Sequence, residues 1–218
     1  VLEPIITLNI YRAAVTGAFT ATAGATATIY PILIWLSQKG RSYYSKERIE
    51  EKGCSGVIGT GAMSDPYNPF EKELMLTRHS LELIDAFNFG VSVITKSSLY
   101  NSDIDIFKGI AEHSPVICKL TVTTADDILC KKLEPNVSPI SERFETISQL
   151  NENGIFSGVV MYARSTVYED AEENIHEIVR ETAECGGKFI YPSFGVTLRQ
   201  NQREYYFNKL KQIFSEDN

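Results

Sequence analysis

Short apolar runs and amphipathic runs alternate along almost the whole chain, and no other feature of the sequence restricts the fold as much. The strand-like runs are Ile5–Ile10, Gly56–Gly61, Gly90–Thr95, Val116–Thr123, Phe156–Met161 and a last one opening at Phe189–Tyr191. Between and after them the spacing predicts helices over Trp35–Lys52, Lys72–Phe87, Ser102–Glu112, Ser141–Leu150, Glu172–Cys185 and Asn201–Phe214. Leu74, Leu76, Leu81, Leu83 and Ile84 form one apolar stripe in the second of these, and Gly186-Gly187 is a C-cap signal for the fifth. Asp103 and Asp105 open the third helix, where the dipole favours carboxylates. Thr123 to Pro139 reads as a long loop broken by Pro135. Strict alternation calls for parallel strands joined by right-handed crossovers. A doubly wound open sheet and a barrel, whole or partial, both satisfy it. No GxGxxG follows the first strand, so the expectation is a partial (β/α)6 TIM-like barrel with its helices outside. It forms one domain over residues 1–218. In either fold the site lies at the C-terminal ends of the strands.

Composition narrows the function classes. Hydrophobic residues make up 43% and charged residues 22% of 218, as in an ordinary soluble domain. A net charge of −7 argues against a broad nucleic-acid footprint. The longest apolar run, Ile29–Leu36, is too short to span a bilayer and contains Pro31. Cys54, Cys118, Cys130 and Cys185 lack any CxxC spacing, which reads as reduced thiols of a cytoplasmic protein. The chain opens VLEP without an initiator Met and reads as a piece of a longer one.

Polar chemistry gathers in the loops that follow the strands. Gly59–Glu71 is stiffened by two prolines and carries Ser64, Asp65, Asn68 and Glu71. Lys96 ends the third strand, either facing the mouth or solvated at the surface. Thr121 to Asp127 adds hydroxyls and the Asp126-Asp127 pair, a helix start or an acid–base pair. Glu134 and Arg143 follow, and Arg199 closes the loop after the last strand. His79, His113 and His176 have no partners at metal-ligand spacing and read as structural. No GxSxG, HExxH or phosphate loop is present.

In order and with compatible spacing, GVIGTGAMSDPYNPFE, LTRHSLELI, FGVSVITKS, NSDIDI, LTVTTADD, LEPNVSPISERFETI and FIYPSFGVTLRQNQREYYF closely resemble the spore-photolyase-related branch of the radical S-adenosylmethionine superfamily. The resemblance runs from Gly56 to the end, and LNIYR is similar to the lead-in of that family's cluster loop. It implies a partial barrel that holds a [4Fe–4S] cluster on three cysteines and chelates S-adenosylmethionine on the fourth iron. One electron then cleaves the sulfonium to a 5′-deoxyadenosyl radical that abstracts hydrogen from a substrate. It also implies a flavodoxin or ferredoxin as reductant, and nucleic acid as one candidate substrate. By the same resemblance Ser64 and Asp65 contact the amino-acid end or ribose of the cofactor, Lys96 its carboxylate and Thr121 its ribose. Glu134 and Arg143 sit on the rim of that site.

Two stretches depart from the family. After LNIYR it would read G-C-x-H-G-C-x-Y-C, and the cluster cysteines fall on Ala14, Ala18 and Ala21. Fourteen of the sixteen residues from Ala13 to Thr28 are Ala, Thr or Gly, and an alanine methyl cannot ligate iron. Tyr162–Tyr168 stands where the family has a proline-containing apolar run before E-D-x-x-E-N-I. Two explanations follow: the stretches are not the natural sequence, or the chain is a degenerate member without a cluster. As written, the chain would not perform the radical reaction. Two other functions remain open on the residues. One is a cluster-free barrel that binds a nucleotide-like ligand or a protein partner. The other is a barrel enzyme using Asp65, Lys96 and Glu134 for acid–base or Schiff-base chemistry.

Overall fold

A computed structural model describes residues 5–8, 56–61, 65–161, 169, 171–192 and 202–214. Ala14, Ala18, Ala21, Ser64, Tyr162–Tyr168, Arg199 and the helix expected over Trp35–Lys52 lie outside the described residues. The strands are β1 (Ile5–Leu8), β2 (Val57–Thr60), β3 (Gly90–Thr95), β4 (Val116–Thr121), β5 (Ser157–Met161) and β6 (Ile190–Pro192). They form one sheet in sequence order, and every neighbouring pair is parallel. A doubly wound sheet would reverse its order at a switch point. The sequential order therefore selects the other expected architecture, the partial barrel with parallel strands.

Seven helices are described: α1 (Glu71–Leu74), α2 (Leu76–Ala86), α3 (Ile104–Ala111), α4 (Asp127–Leu133), α5 (Ile140–Glu152), α6 (Glu172–Glu184) and α7 (Gln202–Phe214). Three depart from expectation. The helix predicted over Lys72–Phe87 is two, because Met75 takes φ 47° and breaks it. Glu71 then turns its carboxylate onto the first turn of α2, accepting from Thr77 N at 2.8 Å and Arg78 N at 3.2 Å. The expected loop before Pro139 contains α4, started by Asp126, whose side chain accepts from Ile128 N at 2.7 Å. Of the two readings of the Asp126-Asp127 pair, the helix start is the one observed. Asp127 caps the next helix instead, accepting from Ile140 N and Ser141 N at 2.5 and 3.1 Å. The third helix is preceded by a 3-10 turn over Ser98–Asp103.

Register fixes which residues share a face. Ile58, Val91, Val93, Cys118, Leu120 and Val159 are buried against the helix layer with Leu81, Ile84, Phe107, Ile110, Ile147 and Leu150. Gly59, Ser92, Ile94, Lys119, Thr121, Val160 and Tyr191 occupy the opposite, concave face. Gly61 ends β2 at φ +97°, and a Cβ there would stand 1.9 Å from the Ile94 carbonyl oxygen. That close approach starts the loop carrying Asp65. Gly61→Ala is expected to cost at least about 1–3 kcal/mol, read as a lowered urea midpoint; an unchanged midpoint would show that β2 does not lie so close to β3.

Candidate functional site

At the C-terminal end of the sheet, Lys96 is held by its own backbone. Its N–H donates to Asp65 Oδ2 at 2.8 Å, and its carbonyl accepts from Ser138 N at 3.2 Å. Asp65 also accepts from Tyr67 N at 2.9 Å and from the Thr95 hydroxyl at 2.5 Å. Its carboxylate thus staples the β2 loop to the end of β3. The Lys96 ammonium pairs with Glu134 Oε1. Glu134 Oε2 accepts from Arg143 Nη2 at 3.1 Å.

Arg143 is fully buried, the largest such side chain described. Its Nε donates to the Ser138 carbonyl at 2.9 Å, and Nη1 to the Thr121 carbonyl at 2.7 Å. Nη2 also reaches Cys130 Sγ at 3.5 Å. The guanidinium therefore joins the end of β4, helix α4 and the turn before α5. Five of the six residues expected at the site are described, and four of them interlock: Lys96, Glu134, Arg143 and the Thr121 carbonyl, with Asp65 fixing Lys96 from the other side. Because Glu134 is shared, neither cation has a carboxylate to itself. An ammonium at a strand end with a shared counter-ion can exchange it for a ligand carboxylate.

Beside this group lies a cavity of about 370 Å³, bounded by Asn68, Lys72, Ser97, Ser98, Val137 and Glu142 among others. Ser98 N donates to Ser138 Oγ at 2.9 Å and Ser98 Oγ to Glu142 Oε2 at 2.9 Å, so this rim is braced. Below the β2 loop, the buried Tyr67 hydroxyl donates to Asp103 Oδ2 at 2.7 Å. Burial pushes the Asp103 carboxyl above its ordinary value, although Tyr67 and Arg78 both hydrogen-bond it. Arg78 bridges Asp103 and Asp105 at 3.1 and 2.7 Å. The two carboxylates placed at a helix start from sequence therefore hold an arginine of α2.

Two residues of consequence escaped sequence reasoning. Asn174 ties the sheet end together, accepting from Ala125 N at 2.9 Å and donating to the Thr123 and Glu169 carbonyls at 3.0 and 2.8 Å. Lys119 stands on the concave face in register with Ile94 and Gly158, half-buried. Burial pushes its ammonium below the ordinary lysine value. The signal was available: a lysine inside the apolar run Val116–Val122. His113 pairs with Asp85 at 2.8 Å, and the exposed His176 lies 4.0 Å from Glu172. Among the described residues no group of three His, Cys, Asp or Glu side chains is placed to hold a metal ion. No described helix is long and apolar enough to cross a membrane.

In fold, this barrel is similar to those of spore photoproduct lyases. A lyase double mutant with bound AdoMet and dinucleoside spore photoproduct superposes with a TM-score of 0.53 at 13% identity, over 84% of this chain and 50% of that one. A spore photoproduct lyase complexed with dinucleoside spore photoproduct gives the same TM-score and identity, over 78% of this chain and 49% of that one. In sequence, an uncharacterized protein of Methanocaldococcus jannaschii is 36% identical over 107 residues, 49% of this chain and 40% of that protein. An uncharacterized protein of Mycobacterium tuberculosis is 21% identical over 150 residues, 69% of this chain and 44% of that one. The chain thus spans less than half of these relatives and about half of the solved lyases. No protein-family model matches it.

Arg143→Met should destabilise the fold by at least about 1–3 kcal/mol in urea titration, since it leaves the Ser138 and Thr121 carbonyls without their donor while Glu134 keeps only Lys96. Arg143→Lys should recover little of this, because a point charge cannot replace the fork. For Lys119 the sign follows from linkage. Its folded value is lowered, so above that value the unfolded chain binds the extra proton and stability rises with pH toward about 10.4. Lys119→Met should flatten that rise; an unaltered slope would place the lysine in bulk-like solvent.

Proposed function

We propose that this barrel binds S-adenosylmethionine at the C-terminal ends of its strands, with the Lys96 ammonium as the counter-charge for the cofactor's carboxylate. The observation that carries the reading is Lys96 itself, fixed through its backbone by Asp65 and Ser138 and held ready by a carboxylate that Arg143 shares. Its likeness in fold to a lyase whose structure contains AdoMet supports the same reading. In this assignment Asp65 positions Lys96, Thr121 presents its hydroxyl to the ribose, and Glu134 with Arg143 forms the rim behind the ammonium. Ser64, outside the described residues, is assigned to the amino-acid end of the cofactor.

A [4Fe–4S] cluster does not fit this chain. The family's thiolate positions are Ala14, Ala18 and Ala21, and methyl groups offer iron no donor. The reductive cleavage that the resemblance implies is therefore not assigned to the chain as it stands. A flavodoxin or ferredoxin reductant and a nucleic-acid substrate go with that cluster.

Calorimetry with S-adenosylmethionine, without iron, tests the proposal. Saturable binding is expected, weakened at least tenfold by Lys96→Ala, which corresponds to about 1.4 kcal/mol. Adenosine, which lacks the carboxylate, should bind both proteins alike. Absence of binding sinks the reading; equal binding of S-adenosylmethionine to both proteins removes Lys96 from it and leaves a nucleotide-like ligand held by other groups.

A further inference from the structure

Strand β1 ends at Leu8, parallel to β2 and in register with Thr60. The chain therefore leaves β1 at the same end of the sheet as Asp65, Lys96 and the Thr121 carbonyl. The residues that follow β1 in the sequence are chemically mute. From Ala13 to Thr28 only Val15 and Phe19 are not Ala, Thr or Gly.

The genetic code gives that composition a meaning. Codons for alanine, threonine and glycine begin GC, AC and GG. Read one base earlier, each triplet becomes the preceding third base followed by those two. A triplet ending in GC encodes Cys, Ser, Gly or Arg. One ending in AC encodes Tyr, His, Asn or Asp, and one ending in GG encodes Trp, Arg or Gly. An inert run in one phase is thus a run of thiols, imidazoles and other polar groups in the neighbouring phase. Cysteine arises in that phase only where the visible residue is Ala or Val, and positions 14, 18 and 21 are all Ala. Histidine or tyrosine requires Thr, Ile or Met, and Thr16 and Thr20 stand at the corresponding positions. Glycine requires a codon beginning with G, as those of Ala13 and Gly17 do.

We propose that the DNA encoding residues 13–21 carries Gly-Cys-Xaa-His-Gly-Cys-Xaa-Tyr-Cys in the phase one base earlier. On this account a shift of reading phase, rather than successive substitution, removed three thiolates from the stretch that follows β1 in the sequence. Each cysteine codon lies two base changes from an alanine codon, so substitution needs six changes where a shift needs one base at either end. The second divergent stretch behaves independently in the same way. In the phase one base later, the codons of Ala163 through Tyr168 admit Pro-Val-Leu-Pro-Phe just ahead of Glu169-Asp170, an apolar run with two prolines. The inference rests on the proposed cofactor site for its chemical sense, because three thiolates at CxxxCxxC spacing are iron–sulfur ligands.

Sequencing the gene from its source tests the inference without any assay. The third base is expected to be G in the codons of Arg12 and Thr16, C in that of Val15, and T in those of Ala13, Gly17, Phe19 and Thr20. Any base other than T in the codons of Ala13, Gly17 or Thr20 overturns it. As a second measurement, the chain with residues 13–28 returned to the earlier phase is reconstituted anaerobically with iron and sulfide. About four irons per chain and a thiolate-to-iron visible band are expected, both missing from the chain as written. A folded protein, by far-UV circular dichroism, that takes up no iron overturns the assignment of those thiols. Neither outcome depends on S-adenosylmethionine, so failure of the cofactor reading would show separately in the calorimetry.

Discussion

A guanidinium with no exposed surface holds the working end of this barrel together. Arg143 spends its donors on two carbonyls, a thiol and the Glu134 carboxylate, and these belong to three successive pieces of chain. A buried cation is tolerated only when it is paired and hydrogen-bonded on every side. The position of Glu134 is therefore not free, and neither is that of the Lys96 ammonium paired to its other oxygen. Geometry at the rim is set from inside the fold outward.

A second set of polar contacts shapes the other side of the site. Gly61 lets β2 end close against β3, and Asp65 then turns back to the Thr95 hydroxyl and the Lys96 amide. Beneath it, the Tyr67 ring lies against Tyr100 with centroids 4.9 Å apart, and its hydroxyl reaches Asp103. Tyr100 in turn donates to the Val93 carbonyl at 2.8 Å. The described part of the loop from Asp65 onward is thereby tied to the end of β3 and to Asp103. Such rigidity suits a ligand site, because little ordering remains for the ligand to impose.

Much of the fold was legible because its signals are local. Alternating runs marked strands and helices, and the missing dinucleotide fingerprint favoured the barrel, as the sequential strand order bears out. Two of the three misreadings turn on side chains acting over distance, and the third on a helix too short to show a period. Met75 breaks a continuous apolar stripe because Glu71 is needed as the cap of α2. Helix α4 was hidden in a stretch read as loop because it is short and ends just before Pro135. Asp103 and Asp105 looked like dipole-favoured acids, yet their partner is Arg78, more than twenty residues away.

By itself the sequence determined the class of fold, the end of the sheet where chemistry gathers, and the absence of thiolates at positions 14, 18 and 21. Those properties depend on residue type and spacing, which no packing can alter. Tertiary structure alone decided that Lys96, Glu134 and Arg143 form one chain of charge, and that the backbone of Lys96 is clasped by Asp65 and Ser138. It also decided that Lys119 stands on the concave face beside Ile94. Contacts at the strand ends depend on register, and a shift of one residue in β4 would carry Lys119 to the other face.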